Sequence, residues 1–173
     1  QSWKNMTWAQ SALQSQYILL FTGLTFYLLG KKSNTGFYCS FFFAVLSVFT
    51  HGGGWVTIFL GWIILLLQKS YQKSSIWAGG ALLSTIFYFK NFHTNTDLFA
   101  GIQSLEGFEN FLMFYCAYLG SSLSLDRIYI AAGFGIILSF YLYYLIWDKY
   151  FEKNITIFIF IVYIFLNAIL VAM

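Results

Sequence analysis

The sequence predicts an all-α fold: a polytopic transmembrane helix bundle with about six spanning helices and one further re-entrant or interfacial helix. Hydrophobic residues make up 60% of the 173 residues and charged residues only 9%, whereas a soluble domain is about 25% charged. Such a chain has too few polar groups to cover its apolar surface, so lipid is its expected solvent. Its apolar runs are continuous, without period-two alternation, which favours helices over membrane strands.

The charged residues orient the chain and exclude one class of partner. Nine basic residues stand against six acidic ones, for a net charge of +3. They are too few and too scattered for a nucleic-acid surface, so no nucleic-acid partner is expected. The lysines are instead expected at helix ends, where they set orientation in a membrane. Cys39 and Cys116 lie inside apolar runs without a CxxC spacing, so we interpret them as packing residues.

Polar interruptions divide the chain into its predicted elements. Residues 1–15 are mixed and carry Trp3 and Trp8 beside Lys4, which favours an amphipathic segment at the membrane interface. Each of the next four apolar runs is about 14 residues, or about 21 Å as helix, so each needs its polar flanks to cross about 30 Å. The predicted spans are residues 17–30, 37–50, 55–68, 76–89, 128–147 and 155–173.

A short apolar helix at residues 109–120 decides the predicted topology. If it does not cross the membrane, six basic residues share one side and three the other; if it crosses, the tally is five against four. The positive-inside rule and its length of only about 18 Å favour a helix that does not cross. The glycine turn after Thr50, the polar loop at 91–108 and the Asp126–Arg127 pair are then expected on the outer face.

We interpret residues 1–173 as a single transmembrane helical region and as a segment of a longer membrane protein. The sequence opens at Gln1 without a signal peptide and closes at Met173 inside an apolar run. Further transmembrane segments or subunits are therefore expected partners, together with the lipid bilayer.

The run His51-Gly52-Gly53-Gly54 is the most unusual local feature. Three glycines cost about 1 kcal/mol each in a helix, so a break in the helix is expected here. One interpretation is the tight turn of a helical hairpin. The other is a substrate-binding site, where bare backbone N–H groups approach an anionic phosphate next to the helix that begins at Trp55.

The segment from His93 to Asp97 is the densest cluster of titratable groups. Asp97 or Glu106 could serve as a general base, His93 could assist it, and Asn95 could bind substrate. A solvated polar loop is the competing interpretation. No metal-ligand spacing is present, so the sequence assigns no metal, and it assigns no cofactor.

Other polar residues lie at or inside the apolar runs. Arg127 begins a predicted helix, either as half of a charge pair with Asp126 or as a clamp for a phosphate. Asn167 lies inside the last predicted span and Gln14 near the first. Such residues most often face a bundle interior and hold helices together, and they can also line a substrate path.

Several short motifs carry a resemblance to a known group of proteins. The stretches WAQSALQ (residues 8–14), FTHGGGW (49–55), the segment 88–96, ENFL (109–112) and LGSSL (119–123) follow one another in this chain. In that order they resemble a group of largely uncharacterised bacterial polytopic membrane proteins. That group is similar to membrane glycosyltransferases that use polyprenyl-phosphate sugars, and to O-antigen polymerases. Here His51-Gly52-Gly53 replaces the usual Gly-Asn-Gly, and Ser122 replaces a common Pro.

The resemblance implies a cell-envelope glycan enzyme of the bacterial inner membrane, which acts at the outer face on a polyprenyl-phosphate-linked sugar. In that case a base would activate an acceptor hydroxyl, and cationic or backbone donors would hold the phosphate. Two alternatives stay open. One is a transporter or channel domain, with the break at residues 51–54 as a discontinuous binding element. The other is a non-catalytic structural subunit of a membrane complex.

Overall fold

The computed structural model describes residues 2–50, 52–90, 105–120 and 127–172, without the side chains of residues 2–13, 15, 105, 106 and 172. These ranges form eight α-helices and contain no strand, which confirms the predicted all-α class. The chain divides into two compact units, unit 1 at Gln1–Phe92 and unit 2 at His93–Met173.

Unit 1 contains four helices: α1 (Ser2–Gly30), α2 (Asn34–Thr50), α3 (Gly54–Leu67) and α4 (Tyr71–Phe89). The predicted interfacial segment and the first predicted span are one continuous helix, α1, because no glycine or proline interrupts the chain before Gly23. The polar residues 71–75, predicted to separate two spans, form the first turn of α4. The other boundaries lie within three residues of the predicted ones.

Unit 2 contains α5 (Leu105–Gly120), α6 (Ile128–Trp147), the single turn α7 (Tyr150–Lys153) and α8 (Ile155–Ala172). Both full-length apolar helices lie where the sequence predicts them. The short helix that was predicted at 109–120 begins earlier, so α5 has 16 residues and is about 24 Å long.

Of the described helices, α6 alone is both long and apolar enough to cross a membrane by itself. Four shorter apolar helices accompany it, at Gln16–Gly30, Asn34–Thr50, Gly54–Leu67 and Ile155–Val171. The 19 residues of α4 would be long enough, but its polar first turn lowers its mean hydropathy.

The interior of unit 1 contains small polar side chains among its apolar ones. The hydroxyl groups of Thr22 in α1 and Thr57 in α3 are 2.7 Å apart, and both residues are fully buried. Ser40 and Ser47 donate to carbonyl groups of their own helix, α2, at 2.7 Å. Phe26, Ile64 and Leu65 are buried with them, and many other large apolar side chains of this unit face outward. Exposed examples are Leu19, Leu20, Tyr27, Phe42, Phe59, Leu67, Ile76, Leu82, Leu83, Ile86 and Phe87.

Trp77 is the largest fully buried side chain of unit 1. Its indole N–H donates to the carbonyl of Ile58 at 2.9 Å, which joins α4 to α3. Gly61 leaves the space for the ring, because a Cβ atom at that position would meet Trp77. The ring edge of Phe41 packs against the indole at a centroid distance of 5.4 Å.

Two helices of unit 2 pack backbone to backbone. A Cβ atom added to Gly120 of α5 would meet the carbonyl of Ala131, and one added to Gly135 of α6 would meet the carbonyl of Cys116. The two helices therefore run antiparallel along a seam of small residues. Because these two contacts lie at successive positions along both helices, α5 packs along the length of α6.

Asn167 joins α8 to α5. Its side-chain amide donates to the hydroxyl of Tyr118 at 3.5 Å. Its buried side-chain oxygen has no hydrogen-bond partner among the described residues. This contact is the one expected of a polar residue that holds helices together.

Substitution of Gly54 tests the crossing of α2 and α3. A Cβ atom at Gly54 would meet the backbone of Ser47 and Val48, whereas a Cβ atom at Gly52 has nothing within 4 Å. We expect Gly54→Ala to lower the free energy of unfolding by about 1–3 kcal/mol, because the helices must separate. The control Gly52→Ala should be neutral or stabilising by less than about 1 kcal/mol. Denaturant unfolding of both variants measures the difference, and equal stabilities would contradict the close crossing.

Candidate functional site

The glycine run forms the turn between α2 and α3. Helix α2 ends at Thr50 and α3 begins at Gly54, as expected from the cost of three consecutive glycines. Gly52 is exposed, whereas Gly53 and Gly54 are buried. The burial of Gly54 has a packing cause, since α2 leaves no room there for a side chain. His51 lies outside the described residues.

Aromatic side chains surround this turn. Trp55, the second residue of α3, stacks on Phe89 at 5.9 Å and meets Tyr88 edge-on at 5.6 Å between centroids. Phe49 contacts Tyr88 from the end of α2 at 6.5 Å. The buried indole nitrogen of Trp55 has no hydrogen-bond partner among the described residues. We call the turn at residues 51–54 and the aromatic side chains around it the glycine end of unit 1. The indole N–H of Trp55 is a buried hydrogen-bond donor at this end.

The side chains of the predicted catalytic residues, and of the predicted binding residue Asn95, fall outside the described part of the chain. This applies to His93, Asn95 and Asp97, and to the side chain of Glu106, whose backbone lies in the first turn of α5. The segment that carries the first three follows Lys90, where α4 ends at the glycine end of unit 1. Their roles stay predictions.

Arg127 is described, and it does not share a location with Glu106. Arg127 caps the start of α6 with an extended backbone and an exposed side chain. Because α5 and α6 run antiparallel, the first turn of α5 lies at the other end of that hairpin, about 20 Å away along the axis. The structure therefore separates these two predicted site residues within unit 2.

Metal ligands do not gather in the part of the chain that the structure describes. No group of three or more His, Cys, Asp or Glu side chains there could hold an ion. Cys39 is exposed on α2 and Cys116 is partly buried in α5, and neither is in a disulfide.

The opposite end of unit 1 carries a feature that the sequence interpretation missed. The turns between α1 and α2 and between α3 and α4 meet there, where the side-chain amide of Gln68 donates to the carbonyl of Leu29 at 3.2 Å. We call this the lysine end, because Lys31, Lys32 and Lys69 lie on these two turns and Lys73 lies in the first turn of α4. The sequence interpretation assigned the four lysines to orientation alone.

Two of these lysines adopt a backbone conformation that normally favours glycine. Lys32 and Lys69 have φ angles of 54° and 56°, and Lys149 of unit 2 has a φ of 50° in an equivalent position. At Lys69 the pattern is a Schellman motif, in which the Lys69 N–H donates to Leu66 and the Ser70 N–H to Leu65. A side chain in the left-handed region costs about 1–2 kcal/mol relative to the right-handed one.

A groove and a crevice open between the lysines. The groove has a volume of about 300 Å³ and is lined by Lys69, Ser70, Tyr71, Gln72 and Lys73. Lys73 also lines a crevice together with Lys32, Ser33 and Gln68, and the volume of this crevice is only about 10 Å³. Its apolar lining residues are Leu28, Leu29, Phe37 and Leu65.

No carboxylate of unit 1 can neutralise this charge. Residues 1–92 contain six lysines and no Asp or Glu. Aromatic rings hold two of the four ammonium groups: Lys31 lies 4.6 Å from the ring centroid of Tyr27, and Lys73 lies 5.8 Å from that of Phe37. Such contacts fix the side chains without removing their charge.

Unit 2 carries an apolar groove of about 430 Å³ between α5 and α6. Its lining is almost entirely apolar, with the thiol of Cys116 and the hydroxyl of Ser139 as its small polar groups. The lining residues are Cys116, Ile136, Ser139, Phe140 and Tyr143.

Comparisons of the chain with protein-family models, with curated proteins and with solved structures find no significant match. The resemblance to membrane glycosyltransferases and O-antigen polymerases therefore rests on its short motifs and stays a prediction.

Replacement of Lys69 measures the cost of its conformation. Lys69→Gly removes the Cβ atom from the left-handed position, so we expect the free energy of unfolding to rise by about 1 kcal/mol. Lys69→Ala removes the same charge but keeps the Cβ atom, and it should give no such gain. Denaturant unfolding compares the two variants; an equal effect of Gly and Ala would show that the backbone is not strained.

Proposed function

We propose that this chain is the membrane-embedded region of a cell-envelope glycan enzyme, of the glycosyltransferase or polymerase type, that acts on a lipid-linked sugar at the outer face of a bacterial inner membrane. The membrane part of the proposal rests on the distribution of side chains in the two units. The enzymatic part rests on the predicted residues His93 and Asp97 and on the chemistry of the glycine end.

The observation that carries the membrane location is the large number of apolar side chains exposed on unit 1. Thr22, Thr57, Ser40 and Ser47 are fully buried within an otherwise apolar core, and Phe, Leu, Ile and Tyr side chains are also exposed on the outside. In lipid, helices associate through small residues and interhelical hydrogen bonds, since apolar side chains gain nothing by leaving the tails. In water this arrangement would expose a large contiguous apolar surface.

The packing of α5 supports a revised number of crossings. The sequence predicts six spans and a helix at 109–120 that does not cross. Since α5 runs antiparallel along α6, an α6 that spans the bilayer carries α5 through it as well. At about 24 Å, α5 is longer than the 14-residue α3, which measures about 21 Å. We therefore propose seven crossing helices: α1 to α6 and α8.

The lysine end is proposed to face the cytoplasm, in accordance with the positive-inside rule. With seven crossings, Arg127 joins Lys31, Lys32, Lys69 and Lys73 on that side. The glycine end and the segment with His93 and Asp97 are then on the outer side. In this topology Arg127 no longer belongs to the outer site that the sequence predicts.

The chemistry proposed for the outer side needs a base and phosphate donors. Asp97 is proposed as the base that removes a proton from the acceptor hydroxyl. Within unit 1, the glycine backbone around Gly52 and the indole N–H of Trp55 are proposed as hydrogen-bond donors toward the pyrophosphate or phosphate. Within unit 2, and considered by itself, the groove between α5 and α6 has the apolar lining typical of ligand sites.

The transporter or channel domain and the structural subunit stay alternative predictions. Phe37 at the start of α2 and Leu65 near the end of α3 line the same crevice, so the two helices run antiparallel. The break at residues 51–54 is therefore a turn between antiparallel helices, which by itself does not favour transport over the enzymatic proposal.

Site-directed labelling tests the topology. In a background without Cys39 and Cys116, single cysteines at Gly52 and Thr96 should react with an impermeant maleimide added to intact cells. Cysteines at Gln72 and Ser122 should react only after the cells are opened. Labelling of Gln72 from outside would contradict the membrane arrangement of unit 1. Labelling of Ser122 from outside would show that α5 does not cross.

An activity assay on the full-length protein tests the enzymatic part. We expect Asp97→Asn to lower the rate of sugar transfer from a polyprenyl-phosphate donor by about 10²-fold or more, if Asp97 is the base. The matched control is Asp148→Asn, an exposed carboxylate paired with Lys153 at 2.9 Å, which should keep full activity because exposed ion pairs contribute little. Equal rates for Asp97→Asn and the unaltered protein would overturn the assignment of the base. Absence of transfer by a correctly inserted, unaltered protein would leave the transporter or channel domain and the structural subunit as the alternatives.

A further inference from the structure

We propose that the lysine end of unit 1 binds the phosphate of an anionic phospholipid headgroup. Lys32, Lys69 and Lys73 supply the positive charge, and the side chains of Ser33, Ser70 and Gln68 supply further polar groups. The proposal rests on the membrane location proposed above but not on any enzymatic activity, and it concerns the face opposite to the glycine end.

The first argument is uncompensated charge. Four ammonium groups share one end of a unit that contains no carboxylate. The positively charged ammonium groups repel one another, and the negative charge of a phosphate diester between them would relieve this repulsion. Basic pockets between membrane helices on the cytoplasmic side are a recurrent way of binding anionic headgroups.

The second argument is that lysine occupies positions where glycine would be less strained. Lys32 and Lys69 both sit at left-handed turn positions, with φ values of 54° and 56°. A strained backbone is usually tolerated where the side chain has a task. Lysine at these positions can place a positive charge beside a ligand at the edge of the groove, and glycine cannot.

The third argument concerns the kind of anion. Tyr71, which lines the groove, and Leu67, which lies two residues before Lys69, are exposed apolar side chains beside the lysines. A free phosphate ion would gain nothing from such a surface. A phospholipid brings glycerol and the first methylene groups of its chains next to its phosphate, so it satisfies the lysines and covers these side chains together.

The test is a titration of the detergent-purified, full-length protein with phosphatidylglycerol, read as the shift of the thermal unfolding midpoint, which reports binding through mass action. We expect Lys32→Gln/Lys73→Gln to weaken the apparent affinity by about 30-fold. The matched control is Lys4→Gln/Lys90→Gln, which removes the same charge at the other end of unit 1. Lys4 lies about 40 Å along α1 from Lys31, so this control should retain the affinity. An equal loss in both double variants would overturn the proposal.

Further arms distinguish the lipid from other sources of the shift. Phosphatidylcholine, which has no net charge, should give little shift, and so should inorganic phosphate at the same concentration. An equal shift with either one would overturn the assignment to an anionic lipid. Lys69→Gly provides a variant expected to be more stable than the unaltered protein, so poor folding cannot explain its result. It should bind phosphatidylglycerol about fivefold more weakly, and unchanged binding would contradict a role for Lys69.

Discussion

The fold of unit 1 depends on a close approach of its helices, in which buried hydroxyl groups form hydrogen bonds inside the protein. The contact of 2.7 Å between Thr22 and Thr57 joins α1 to α3, and Ser40 and Ser47 satisfy their hydroxyls on their own helix. Gly54 and Gly61 make the approach possible, because a side chain at either position would meet the neighbouring helix. Phe26, Ile64 and Trp77 fill the space between these contacts, and other large apolar side chains face outward, which supports the proposed lipid environment.

The two ends of unit 1 differ because the turns that reverse the chain direction have different residues at each end. The turn at Gly52 to Gly54 uses residues without side chains, so α2 and α3 come together and aromatic rings close around them. The turns at Lys32 and Lys69 keep long charged side chains in a left-handed conformation. One end is therefore surrounded by aromatic side chains and carries Lys90 where α4 ends, while the other carries four lysines. This asymmetry is the basis both of the proposed orientation and of the proposed lipid site.

Sequence reasoning located most helices, but it interpreted the run at 109–120 without the helix that it packs against. The apolar run at 109–120 looked too short to cross a membrane, because its polar first turn was assigned to the preceding loop. In the structure that turn is helical and the helix packs along α6 through Gly120 and Gly135. For the candidate site, the sequence predicted that Glu106, as a possible base, and Arg127, as a possible phosphate clamp, both lie on the outer face. Antiparallel packing puts them at opposite ends of a hairpin, a relation that no local pattern encodes.

The sequence by itself determined the all-α class and the positions of the helices, since long apolar runs can only satisfy their backbone groups internally and glycine or lysine clusters end them. It also determined that the helical structure would be interrupted at residues 51–54. Only the tertiary structure decided that Lys32 and Lys73 share a crevice, that Trp77 fills the space above Gly61, and that α5 accompanies α6. These are contacts between residues far apart in the chain, and they depend on how side-chain surfaces of different helices fit together. Helical periodicity specifies which face is apolar, but it does not specify which helix that face will meet.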